Sequence, residues 1–213
     1  MVGDVNPSSE RKFARMRLFR PVAILAVILT IAACAKPPQA EIDAAKAAVN
    51  AAAKNPDVIT YAPDSLRDAQ EKMAALDEEI AAQARKSALS RKYDAAKDLA
   101  VATAAAAARA PKDAESAKDQ VAKEAAALAE KLEVAIPGFE SKAYAARRVK
   151  GIKLDFAALA LTSDQAQAAL GDARKNLAAG SFAAAKAKLM AAQDRLSAEE
   201  ENITEQTRIA KNR

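Results

Sequence analysis

Apolar and small residues recur at alternating steps of three and four through Val149, Ile152, Phe156, Leu159, Ser163, Ala166, Leu170, Ala173 and Leu177. This spacing turns one face of an α-helix toward a single partner, as in a coiled coil. A second seam, Phe182, Ala185, Leu189, Ala192, Leu196 and Ile203, follows Ala178-Ala179-Gly180-Ser181. Glycine there can take the left-handed conformation that ends a helix, and serine can cap the next one. The chain must reverse, so Leu170 and Leu177 are expected to meet Leu189 and Phe182 in an antiparallel hairpin. Gly151 and Gly171 fall off the seam and should weaken the first helix, over about 139–179, without opening its core. At about 1.5 Å per residue the two arms would be on the order of 40 to 60 Å long.

The rest of the chain has the same character. Alanine makes up more than a quarter of the sequence, beside 5 Gly, 3 Tyr, 5 Phe and no Trp. Alanine is the strongest helix former and buries little surface, so the composition implies an all-α fold with thin cores: antiparallel helical hairpins in an elongated, coiled-coil-like bundle. A helix over about 41–54 carries the stripe Ile42, Ala45, Val49 and Ala52, and Asn55-Pro56 should stop it. Pro63 suits a first helical position, with Asp64 and Asp68 at the positive end of the dipole. That helix should run to about residue 89 with Leu66, Ala69, Met73, Leu76, Ile80 and Gln83 inward and Asp68 paired to Lys72 outside. After a turn near 87–91, Tyr93 should plug the hairpin corner ahead of Ala96, Ala100, Thr103 and Ala107. Pro111 should end or kink this helix. A further helix to about 135, with Val121, Ala125, Leu128 and Leu132 inward and Asp119 with Lys123 outward, should break at Ile136-Pro137-Gly138.

Residues 17–34 supply an address. Arg11, Lys12, Arg15, Arg17 and Arg20 precede an apolar run of about a dozen residues, well short of the roughly 20 that a spanning helix needs. The run ends in Ile31-Ala32-Ala33-Cys34, which holds the single cysteine of the chain. This order of parts resembles a bacterial lipoprotein signal peptide with its lipobox, although that family prefers leucine where Ile31 stands. The resemblance implies that Cys34 is lipidated and becomes the first mature residue; a short hydrophobic anchor with a buried thiol is the bland alternative. Met16 is the expected true start, because residues 1–15 add a polar extension without apolar period. Residues 34–40, with Pro37-Pro38, read as a spacer between lipid and first helix. Ala35 after the cysteine, in place of an aspartate retention signal, resembles lipoproteins sorted to the outer membrane.

Charge and chemistry narrow the function. Of 33 Lys+Arg and 28 Asp+Glu, five and two respectively precede Cys34, which leaves 28 against 26, a net charge of +2. The charges are interleaved and aromatics are few, so the footprint of a nucleic-acid binder is missing. With no histidine and one cysteine expected to be acylated, the usual nucleophile, general base and soft metal ligands are missing. No enzyme, cofactor or metal site is expected.

Tyr61-Ala62-Pro63-Asp64, Leu66, Ala69 and Tyr93-Asp94-Ala95-Ala96-Lys97 resemble an uncharacterised family of alanine-rich helical domains common in bacterial envelope lipoproteins, over about 41–110. Phe182-Ala183-Ala184-Ala185-Lys186 echoes the second of these stretches. Gly180, Phe182, Ala185, Leu189 and Ala192 also resemble the turn and second helix of a tetratricopeptide repeat over about 164–197, although Ser197 stands near where its closing proline belongs. The expected organisation is a signal peptide over 1–33, a lipidated cysteine and linker over 34–40, an alanine-rich helical domain over 41–110 and a helical extension over 111–213. The expected function is a non-enzymatic envelope scaffold or spacer anchored to the membrane through lipid on Cys34, facing the periplasm, with peptidoglycan, another envelope protein or a second copy as partner. An adaptor holding a peptide or protein in its hairpin grooves is the alternative. The cationic end suits a helix C-terminus; it also invites comparison with the major outer-membrane lipoprotein, whose terminal lysine joins peptidoglycan, but the match is poor, since the last residue here is Arg213 and the candidate Lys211 lies two earlier.

Overall fold

A computed structural model describes residues 36–212. The expected signal segment 1–33, the start at Met16 and the lipidation site Cys34 lie outside them. The described residues are all-α, without strands. In chain order they form α1 (Gln39–Lys54), α2 (Pro56–Tyr61), α3 (Pro63–Ala84), a 3-10 turn (Ala88–Ser90), α4 (Asp94–Ala146), α5 (Phe156–Ala178) and α6 (Phe182–Lys211). The chain divides into two compact units, one of residues up to 55 with Pro63–Ala110 and one of Pro56–Ala62 with Pro111–Arg213.

In the first unit α1 packs on α3. Ile42, Ala45, Leu76, Tyr93, Ala96 and Ala100 form its core, with Met73, Ile80 and Leu99 against it. Burying Leu76 completely stabilises by roughly 1.5–3 kcal/mol, whereas each alanine contributes far less and chiefly lets the helices approach. Tyr93 is buried just ahead of α4, at the corner where the sequence places it. Gln83 is buried too: its Nε2 donates to Glu79 and its Oε1 accepts from the Lys92 backbone N–H at 3.0 Å. Arg91 donates to the carbonyls of Ala84 and Lys86, which satisfies the open end of α3. The α3–α4 turn is thereby tied at both ends.

The second unit is built on the later part of α4 with α5 and α6. Its core holds Leu132, Ile136, Phe139, Leu159, Ala166, Leu170, Ala173, Ala185, Leu189, Leu196 and Ile203. The α5–α6 hairpin is antiparallel around Gly180, whose φ is +73°. Ser181 occupies the N-cap position of α6, but its side chain makes no capping bond. Asp155 does cap α5, accepting from the backbone N–H groups of Ala157 and Ala158 at 3.0 and 3.1 Å.

Three expectations fail. Ile136-Pro137-Gly138 does not break the helix, and of the two outcomes expected at Pro111, an end or a kink, the end does not occur; α4 runs 53 residues through both prolines. Each ring faces solvent while Ala110 and Ala114, or Ile136 and Phe139, are buried beside it. The missing backbone bond therefore falls on the wet side, and burial opposite offsets a cost of about 3 kcal/mol. Second, the helix expected over 139–179 is interrupted: α4 ends at Ala146, the chain turns through residues 147–155, and α5 starts at Phe156. Gly151 takes φ +79° there, which other residues adopt only with strain. Third, α3 ends at Ala84 instead of near residue 89, whereas α1 does stop at Lys54 as expected, with Pro56 opening the short helix α2.

Candidate functional site

The seams of the second unit are edged by ion pairs and hydrogen bonds at heptad spacing. Glu133 on α4 accepts from Arg174 on α5 at 2.5 Å, and seven residues along each helix Glu140 accepts from Gln167 at 3.1 Å and from Ser163. The same heptad step joins α5 to α6, where Asp172 meets Lys188 at 3.0 Å and Gln165 meets Arg195. Between α4 and α6, Lys186 pairs with Glu124 at 2.5 Å and Lys142 with Glu200 at 2.6 Å. On α2, Asp57 accepts from Lys118 at 2.9 and 3.1 Å, a hydrogen bond that holds the Lys118 ammonium above its usual range. In the first unit Asp68 pairs with Lys72 as expected, and Glu41 meets Lys97 at 3.5 Å.

Shallow grooves lie between these edges. One between α5 and α6, about 320 Å³, has a floor of Ala166, Ala169, Ala191 and Ala192 between Asp172, Lys188 and Arg195. A second between α4 and α5, about 270 Å³, is walled by Phe139, Tyr144, Phe156 and Arg147. Among the described residues no group of His, Cys, Asp or Glu is placed to hold a metal ion. No described helix is long and apolar enough to cross a membrane.

The turn after α4 differs from the paired edges. Its backbone winds down through bonds from Arg147, Arg148 and Val149 to the carbonyls of Ala143, Ala145 and Ala146. It then runs extended, with Ile152, Leu154 and Phe156 packed on the core and Lys153 and Asp155 exposed between them. Arg147 lies 5.0 Å over the Phe156 ring, and Arg148 lies 4.9 Å over Tyr144 while donating to its hydroxyl at 3.0 Å. Arg147, Arg148, Lys150 and Lys153 are all exposed.

Of the residues singled out from sequence, Lys211 is the exposed last residue of α6, and Cys34 lies outside the described residues. The basic turn escaped the sequence reading, which placed Val149 and Ile152 inside a helix; the signal for it was Gly151 followed four residues later by a capping Asp155. No family model matches the chain, and neither a curated protein nor a solved structure matched it.

Proposed function

We propose that the protein is a non-enzymatic, lipid-tethered helical scaffold of the bacterial cell envelope, anchored through Cys34, facing the periplasm from the outer membrane and contacting peptidoglycan, another envelope protein or a second copy. The observation that carries this reading is the order basic cluster, short apolar run and Ile31-Ala32-Ala33-Cys34, followed at once by a proline spacer and the first helix at Gln39. A lipid on Cys34 would leave only a few residues between bilayer and α1. The all-helical units supply surface, edged by ion pairs.

The test is metabolic labelling with a clickable palmitate analogue. Label should enter the wild-type chain and vanish in Cys34→Ser, which should also accumulate as uncleaved precursor. Equal labelling of both would overturn the tether. A second reading, an adaptor for a peptide or protein, draws on the alanine-floored groove between α5 and α6, whose ends carry Asp172, Lys188 and Arg195. In-cell crosslinking from a photoreactive residue placed at Ala169 separates the two: a discrete peptide or protein adduct favours the adaptor.

A further inference from the structure

Four cations within seven residues, Arg147, Arg148, Lys150 and Lys153, stand exposed at one turn. Among the described residues no ion pair joins any of them to a carboxylate, although lysines and arginines along the adjoining helices are paired. The two arginines lie instead against aromatic rings, which hold a guanidinium without neutralising it. Tyr144 beside them is 61% exposed. Ile152, Leu154 and Phe156, half-buried, pack the second limb of the turn on the core, and Gly151 takes a positive φ at the bend. Like charges so concentrated repel one another, and although Asp155 and, in the groove beside Arg147, Glu140 and Asp164 lie nearby, none of them forms an ion pair with the four cations, so an external anion would relieve the repulsion.

We propose that this turn docks on an anionic phospholipid surface, with Arg147, Arg148, Lys150 and Lys153 at the headgroup phosphates and Tyr144 at the interface. Charge complementarity carries it: each cation brought to an anionic leaflet is attracted there by a field that salt screens, and an amphipathic aromatic prefers the same depth. The choice of a bilayer over another polyanion rests on the tethered reading above, which keeps the chain at a membrane.

The chain has no tryptophan, so Tyr144→Trp makes a unique reporter. The full chain carrying it is mixed with vesicles of neutral phosphatidylcholine, or with phosphatidylglycerol added, each with brominated acyl chains. Quenching should be roughly tenfold greater on the anionic vesicles, disappear in high salt, and disappear when all four cations are changed to serine while circular dichroism shows unchanged helicity. Ala145→Trp, at an exposed position beside Tyr144, is a second reporter should the first perturb folding. Chain that floats with vesicles without quenching, or quenches equally on neutral lipid, overturns the docking and leaves the tether standing. Quenching on anionic vesicles by a chain whose Cys34 takes no palmitate sinks the tether and keeps the docking. Quenching on anionic vesicles that isolated peptidoglycan abolishes at low ratio assigns the turn to that polymer and overturns the proposal.

Discussion

Lys186 on α6 holds its ammonium 2.5 Å from the Glu124 carboxylate on α4, and Gln120 donates to the same carboxylate at 2.9 Å. These bonds, that of Lys186 foremost, hold the Glu124 carboxyl below the ordinary value of 4.5. Asp172 is likewise held below 3.8 by Lys188 and then Lys175. A carboxyl whose folded value is depressed stabilises the fold above its unfolded value, and the contribution disappears as pH falls through the folded value. The second unit should therefore lose stability on acidification below about pH 4.5, while its unfolding temperature stays flat toward neutrality. Glu124→Gln with Asp172→Asn should shrink the difference between thermal melts at pH 7 and pH 3; an unchanged difference would show that these edges contribute nothing.

Pro137 lies inside α4 with Ile136 and Phe139 buried beside it. Because the helix already runs through this position, Pro137→Ala restores a backbone N–H without asking for a new fold. Stability should rise by about 1–3 kcal/mol in urea unfolding. A fall would mean that packing at Phe139 depends on the backbone geometry that proline fixes.

That a proline can sit inside the helix explains which parts of the fold were legible. The stripes Ile42-Ala45-Ala52, Ala69-Leu76-Gln83 and Ala185-Leu189-Leu196-Ile203 are buried because a helix has one period and little else competes with it. The turn at Gly180 was equally plain, since both flanking seams stop there. The turn at 147–155 was hidden by a coincidence of periods. Ile152 and Phe156 are four apart, as a helix requires, and are also alternate members of the extended series Ile152, Leu154, Phe156. Only Leu154, off the helical seam yet packed on the core, tells the two apart. At the site level the four cations of that turn are ordinary in number; the missing carboxylate partners appear only once the helices are placed.

Two glycines separate backbone strain from helix propensity. Gly180 has φ +73° and Gly171 lies within α5; a Cβ added to either would meet nothing within 4 Å. Space being free at both, the same substitution should act in opposite directions. Gly180→Ala should destabilise by about 1–2 kcal/mol through left-handed strain, and Gly171→Ala should stabilise by about 0.5–1 kcal/mol. Chemical denaturation of the two variants beside wild type checks both signs.

Ala185 is fully buried in the second unit's core near the start of α6, whereas its neighbour Ala184 faces solvent. In a core this rich in alanine the close approach of helices is the packing itself, so added volume has no cavity to fill. Ala185→Leu should force α6 away from its neighbours and cost about 1–3 kcal/mol, while Ala184→Leu, with nearly the same helix propensity, should change stability by less than about 0.5 kcal/mol. Urea unfolding followed by circular dichroism gives both values. If Ala185→Leu were tolerated as well as Ala184→Leu, the α6 interface would be loose, and the alanine seam would reflect helix propensity alone.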